Sequence, residues 1–263
     1  MFIERIVEAR RDRLATEKQI VADGRMKVLA RRATHGGPRP SFRNALTNPG
    51  LGLIGEIKKA SPSRGVIRED FDPAALALQY RQVVDAVSVL TEETFFQGGP
   101  EHLEQAVAAC PDMCFLRKDF IIDAYQIDQA RVLGASAVLL IAAILDTATL
   151  RSFREVAGEL GMEALVEVHR EEELDRALAS GARIVGINNR NLSDFSVSLE
   201  TTLRLAPLIP EGITVVSESG FSSGADTRKI CPAGIDAILV GESFMRSSDV
   251  GSLARELRDG CNG

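Results

Sequence analysis

From Leu51 onward, short runs rich in valine, isoleucine, leucine and alanine recur every 20–30 residues, and a segment of helical period follows each one. The runs are Leu53–Ile57, Ala86–Leu90, Cys114–Arg117, Ala137–Leu140, Glu163–Val168, Ile184–Ile187, Thr214–Ser217 and Ala237–Val240. The helical segments are 73–82, 100–109, 123–133, 146–160, 170–179, 198–206, 223–231 and 249–258. Strand alternating with helix builds parallel βαβ units. The strands are apolar almost throughout, as they must be when both faces are covered. Eight such units in about 210 residues fit a closed barrel better than an open doubly wound sheet. The fold class is therefore α/β, a single (β/α)8 TIM barrel.

Ahead of the barrel, residues 2–22 read as an amphipathic helix with Phe2, Ile3, Ile6, Val7 and Leu14 along one face. Residues 33–50 hold Gly36, Gly37, Pro38, Pro40, Pro49 and Gly50, the signature of a loop, with one short helix around Phe42–Leu46. No change of composition splits the chain. Residues 1–263 are read as one domain, with 1–50 an N-terminal helical extension and 51–263 the barrel. Amphipathicity shows that the first helix packs on something. It leaves open whether that is the bottom of the barrel or its mouth.

Thirty-one basic against 37 acidic residues give a net charge of −6. Such a chain gains little from the counterion release that drives nucleic-acid binding, so no nucleic-acid partner is expected. The N-terminus has no unbroken apolar core of a secretory signal, and no run of 18 apolar residues occurs, so no membrane partner is expected and a cytoplasmic location is. Cys110, Cys114, Cys231 and Cys261 form no CxxC pair and have no histidine or carboxylate at ligand spacing. They read as reduced thiols, with no metal site and no disulfide framework. A monomer or weak homo-oligomer is the expected state.

Chemistry in a barrel sits at the C-terminal ends of the strands. The first strand ends Glu56-Ile57-Lys58, and alternation points Glu56 and Lys58 the same way, as an acid/base pair or a structural ion pair. After the third strand comes Lys118, either a solvated loop lysine or a general acid or Schiff-base nucleophile whose pKa burial lowers. Glu167 lies within an apolar run, where an unpaired carboxylate costs several kcal/mol, so it needs a partner, with Lys118 and Lys58 the candidates. His169, just beyond, reads as a residue as well suited to solvent as to the site. The sixth strand ends with Asn188 and Arg190 on one face, able to hold a carboxylate or a sugar hydroxyl unless they are simply turn residues.

The seventh and eighth strands run into Ser217-Glu218-Ser219-Gly220-Phe221 and Val240-Gly241-Glu242-Ser243-Phe244. Barrels often bind phosphate with the loops after these two strands, where glycine lets backbone N–H groups approach the anion. No Walker loop and no GxGxxG after a strand occurs, so a nucleotide is not implied. The residues alone thus describe a barrel enzyme for a small phosphorylated molecule.

The segments GEIKKASPSRG (55–65), SVLTEETFFQGG (88–99), LRKDFIIDAYQI (116–127), ALVEVH (164–169), GINNRNL (186–192), VSESGF (216–221) and LVGESFM (239–245) resemble indole-3-glycerol phosphate synthase of tryptophan biosynthesis. That family converts 1-(2-carboxyphenylamino)-1-deoxyribulose 5-phosphate to indole-3-glycerol phosphate, releasing carbon dioxide and water, without metal or cofactor. The resemblance implies that Lys118 is the general acid of ring closure and Glu167 the acid/base group of the dehydration. It gives Lys58 a place near the phosphate and the leaving hydroxyl, with a share in the acid work. Glu56, Asn188 and Glu218 become the supporting polar shell, Ser61 and Arg190 substrate contacts, and Ser219, Gly220, Gly241 and Glu242 the phosphate cradle. Two departures stand out. Glu242 replaces a serine of some relatives, so only its backbone N–H is expected to face the phosphate. Thr91-Glu92-Glu93-Thr94 stands where relatives often have Asp-Glu-Lys, which alters loop charge alone. Another phosphate-binding barrel enzyme, such as an isomerase, epimerase or aldolase, would share the phosphate site. Intact Lys118 and Glu167 count against a non-catalytic barrel kept as a partner subunit.

Overall fold

The computed structural model describes residues 2–191 and 194–261. Leu192, the last residue of GINNRNL, lies outside them. Eight parallel strands close into a barrel in the order β1-β8-β7-β6-β5-β4-β3-β2. They are β1 Gly52–Ile57, β2 Ala86–Leu90, β3 Cys114–Lys118, β4 Ala137–Ile141, β5 Glu163–Val168, β6 Ile184–Asn188, β7 Thr214–Glu218 and β8 Ala237–Val240. Four of them run one residue further toward the mouth than the apolar pattern reaches, because Lys118, Ile141, Asn188 and Glu218 still pair in the ladder.

Strand alternation sorts the core into two layers. Ile54, Ala86, Leu116, Leu139, Leu165, Ile184, Val216 and Leu239 fill the lumen. Their neighbours Leu53, Val87, Phe115, Val138, Val166, Val185, Val215 and Ile238 face outward under the helices. Turn chemistry at the helix starts supports this arrangement. Asp72, Asp123, Asp146 and Asp249 each accept a backbone N–H of the helix that follows, and Ser223 closes a capping box with Asp226.

The extension closes both ends of the lumen. Helix α1 (Phe2–Ile20) brings Ile3 and Ile6 to the mouth, beside Lys58, Phe96 and Phe120. Helix α3 (Phe42–Leu46) plugs the bottom with fully buried Phe42 and Leu46. It is fixed there by Glu163, which opens β5 and accepts Ser41 Oγ at 3.2 Å and the Arg43 N–H at 2.9 Å. Between them, α2 (Asp23–Thr34) was not anticipated. It buries only Met26 and Ala30, and its glycine and many charges hide the periodicity. A short antiparallel hairpin, Ala60–Ser61 with Gly65–Val66, follows β1 and was not anticipated either.

The cysteine reading needs correction. Cys110 and Cys114 are free and buried, but Cys231 and Cys261 are joined as a disulfide, with Cα atoms 5.6 Å apart. The residues are thirty positions apart, and only the return of the C-terminal helix Val250–Asp259 past the helix Gly224–Ile230 brings them together. Among the described residues, no helix is long and apolar enough to cross a membrane.

Candidate active site

A cavity of about 420 Å³ opens at the C-terminal ends of the strands. Glu56, Lys58, Lys118, Glu167, Asn188, Arg190, Glu218, Ser219, Gly220, Gly241 and Glu242 all line it. Ser61 does not. It sits in the hairpin after β1 and borders the adjoining cleft under α1, with Phe2, Ile3 and Ile6.

At the centre, the Lys118 ammonium donates to Glu167 Oε2 and to Glu218 Oε2, both at 2.8 Å. Three strands meet in that contact: β3, β5 and β7. Gly186 of β6 makes room for it, since a Cβ there would collide with the Glu218 carboxylate. Of the two partners proposed for Glu167, Lys118 is the one found. Lys58, just past the end of β1, instead pairs with Glu56 of that strand, so these two do share a face. Burial alone would lower the Lys118 pKa, as the sequence reading held. The charges of Glu167, Glu218 and Glu56 outweigh it and hold the lysine protonated, above its ordinary range. A proton donor waiting for substrate needs that form.

The two carboxylates differ although they share one cation. Burial acts to raise both. Lys118, His169 and a hydrogen bond from Asn188 hold Glu167 below the usual carboxylate range. For Glu218 burial prevails, helped by the negative charges of Glu167 and Glu56, and pushes it to about 7. One member of the pair is thus ionised and the other holds a proton near neutrality, a division of roles seen where acid and base must coexist. Glu218 Oε1 is buried against Gly186 without a hydrogen-bond partner.

Opposite this cluster lie the loops after β7 and β8. Ser219 and Gly220 take positive φ of 68° and 94°, a left-handed turn that aims successive N–H groups at one side. Ser243 Oγ donates to the Phe221 carbonyl at 2.6 Å and locks the two loops together. Asn188 Oδ1 accepts Ser219 Oγ and the Arg190 N–H, both at 3.0 Å, and so ties β6 to the same turn. The Glu242 carboxylate is held by Arg64 and Arg246, each at 3.2 Å. The sequence reading missed both arginines, which also line the cavity. Leu90, Phe96, Phe120, Leu139 and Ile141 form an apolar stretch of the wall. Phe96 and Phe120 lie in segments that carried the resemblance, yet nothing in the sequence turns their rings toward the lumen. Within the second-strand loop, Glu92 accepts the N–H groups of Thr94, Phe95 and Phe96, so it shapes the turn that carries Phe96. Glu93 meets Arg13 of α1 at 2.8 Å.

His169 does not face solvent. Its side chain is 13% exposed and its Nε2 stands 3.6 Å from Glu167 Oε1. Glu173 holds it from behind, accepting the His169 N–H at 2.7 Å and both Arg170 Nε and Nη2 at about 3 Å. Against the cost of burial, hydrogen bonds from His169 and Arg170 bring Glu173 down to about 2. A carboxyl whose pKa is depressed on folding adds stability above its unfolded value, and that stability fades as pH falls through the folded one. Glu173→Gln is therefore expected to cost on the order of 2 kcal/mol at neutral pH and to flatten the loss of stability between pH 5 and 2. Urea unfolding of both proteins across that range measures it. Parallel curves would remove Glu173 from the account.

The family model of indole-3-glycerol phosphate synthase matches residues 3–257. The chain belongs to that family. An indole-3-glycerol phosphate synthase of Desulfotalea psychrophila is 52% identical over 221 residues, 84% of this chain and 85% of the relative. One of Lactiplantibacillus plantarum is 44% identical over 264 residues, covering all of both chains. Among solved structures, 3-hexulose-6-phosphate synthase from Salmonella typhimurium superposes with a TM-score of 0.63 at 15% identity, over 81% of this chain and 99% of that one. At that identity it shares the barrel fold and nothing finer. Membership of the indole-3-glycerol phosphate synthase family fits the cavity, which offers an apolar wall at one side and glycine turns at the other.

Proposed function

We propose that this chain closes the indole ring of 1-(2-carboxyphenylamino)-1-deoxyribulose 5-phosphate and then removes carbon dioxide and water, giving indole-3-glycerol phosphate. One observation carries the reading. A buried ammonium, Lys118, is held between Glu167 and Glu218 across a cavity from two glycine turns. The phosphate sits on the turns of Ser219, Gly220, Gly241 and the Glu242 N–H, with the Glu242 carboxylate turned to Arg64 and Arg246. The aromatic ring lies against Phe96, Phe120 and the leucines of the wall. Arg190 and Asn188 reach the substrate carboxylate or hydroxyls, and Ser61 contacts it from the adjoining cleft.

With the ends fixed, the ring carbon bearing the carboxylate attacks the ketone carbon, and Lys118 gives its proton to the oxygen as negative charge develops there. The carbon–carboxylate bond then breaks, its electrons restore the aromatic ring, and carbon dioxide leaves. In the dehydration, the hydroxyl departs as water with a proton from Lys58 or Lys118. Glu167, the ionised carboxylate, takes the proton that the new double bond displaces. Glu56 holds Lys58 in place for its share. These residues supply each acid and base that the steps call for, with no cofactor or metal. We also take residues 1–263 as one domain, a monomer or weak homo-oligomer working in the cytoplasm on a small phosphorylated substrate, with neither nucleic acid nor membrane as a partner. Purified protein given the substrate is expected to develop indole fluorescence in a metal-free buffer. An adduct trapped by borohydride, with no indole formed, would mark a Schiff-base aldolase instead.

A further inference from the structure

We propose that His169 is the inlet for the proton that each turnover takes from solvent, passing it from a second cavity to Glu167. The inference rests on the roles given above to Lys118 and Glu167. The need for an inlet follows from the balance of the reaction. The substrate loses a carboxylate as neutral carbon dioxide and a hydroxyl as neutral water. One proton must therefore enter the site per cycle, and with substrate seated the mouth is filled by the molecule that needs it.

Beside the active-site cavity lies another of about 500 Å³, bordered by Ile3 of α1, His169, Arg170, Glu173, Asn188 and Arg204, with Asn188 common to both. His169 stands in the partition. Its Nε2 has no hydrogen-bond partner and lies 3.6 Å from Glu167 Oε1, and its Nδ1 lies 3.3 Å from Glu173 Oε2. A shift of less than about one ångström brings Nε2 and Oε1 into hydrogen-bond range. The opposite oxygen of Glu167 already accepts from Lys118 at 2.8 Å. With that shift the groups from the second cavity to the reacting lysine stand in sequence: His169 Nε2, the Glu167 carboxyl, Lys118.

The transfer balances. Lys118 becomes a neutral amine when it protonates the substrate oxygen. The imidazolium of His169 gives its Nε2 proton to Glu167 Oε1, leaving a neutral ring and a carboxylic acid. The carboxyl group then turns about its Cγ–Cδ bond, brings the protonated oxygen to the Lys118 amine, gives up that proton and is a carboxylate again. Water admitted from the second cavity then returns a proton to the bare Nε2, while Nδ1 keeps its own toward Glu173. One proton enters and no electrons move between groups. The charges facing the ring favour its loaded form. Glu167 on β5, Glu218 on β7 and Glu173 at the next helix start oppose Lys118 on β3, Arg170 and, across the cavity, Arg204. Burial disfavours the imidazolium, but Glu173, Glu167 and Glu218 outweigh it and set its pKa above the usual histidine value.

A positioning role alone would slow every turnover equally, whereas an inlet matters only once the first proton is spent. In His169→Gln, steady-state kcat is expected to fall about tenfold or more at neutral pH, while the single-turnover rate, read at a pH high enough to keep Glu167 ionised without the histidine, falls far less. The parental kcat should decline as pH rises through the histidine pKa, and the variant should lack that limb. In His169→Ala, millimolar imidazole entering the second cavity should restore kcat. The proposal is overturned if kcat is unchanged, if both rates fall together, or if imidazole has no effect. Lys118→Ala measured alongside separates the two readings. A parental single-turnover rate in that variant would refute the site assignment itself, whatever His169 does.

Discussion

Lys118→Ala is expected to lower kcat about a thousandfold while leaving substrate affinity nearly intact. The ammonium bonds two carboxylates and touches nothing of the phosphate turns across the cavity, so its removal leaves the anion seat assembled. Ring closure loses the proton donor for the developing oxyanion, and among the described residues no other cation bonds both Glu167 and Glu218. The two carboxylates then share a buried site without their common cation, so both hold protons more tightly and residual activity should move to higher pH, where Glu167 is again ionised. Indole fluorescence across pH 5–9, with the KM against kcat split at each point, reads all of this. Turnover within about threefold of the parent would take Lys118 out of the acid role.

Asp119→Ala is expected to be the most destabilising single change at the mouth, by about 3–5 kcal/mol. The Arg117 side chain is fully buried, with Nη2 2.8 Å from Asp119 Oδ2, Nη1 2.8 Å from the Gln126 carbonyl and Nε 3.2 Å from Thr91 Oγ1. Arg10 of α1 comes to 3.5 Å from Asp119 Oδ1 while binding Glu17 at 2.8 Å. Removing the one carboxylate strands a buried guanidinium and loosens the N-terminal helix together. Replacing Arg117 by Met and Asp119 by Leu in one protein should recover part of the loss, because no unpaired charge then remains. Urea midpoints of the single and double variants measure it. A single variant within about 1 kcal/mol of the parent would show that the network contributes little.

Most of the barrel was legible because both faces of each strand are buried, so hydrophobic runs mark the strands and helical periodicity marks the segments between them. Ala86–Leu90, Glu163–Val168 and Ala237–Val240 match the apolar runs residue for residue. The site was legible where a polar residue interrupts such a run, as at Lys118, Glu167 and Asn188. What stayed hidden depends on contacts distant in sequence. Alternation already set Glu56 beside Lys58, but nothing local says which lysine reaches Glu167, or that Cys231 meets Cys261. His169 follows a strand in a charged stretch, and only the turn built by Glu173 swings its ring inward. Helix α2 escaped notice because it buries only two apolar residues, Met26 and Ala30, and shows solvent a row of charges.

Arg117 and Lys118 are consecutive in β3, so alternation sends one outward beneath the helices and the other into the lumen. A slip of β3 by a single place against β2 and β4 would exchange them. The guanidinium would then enter the substrate space without Asp119 or Thr91, and the ammonium would be driven into apolar packing. Each misaligned pairing thus strands two cations at once, so the adjacent basic residues double as a registration mark that lets the barrel close in only one alignment.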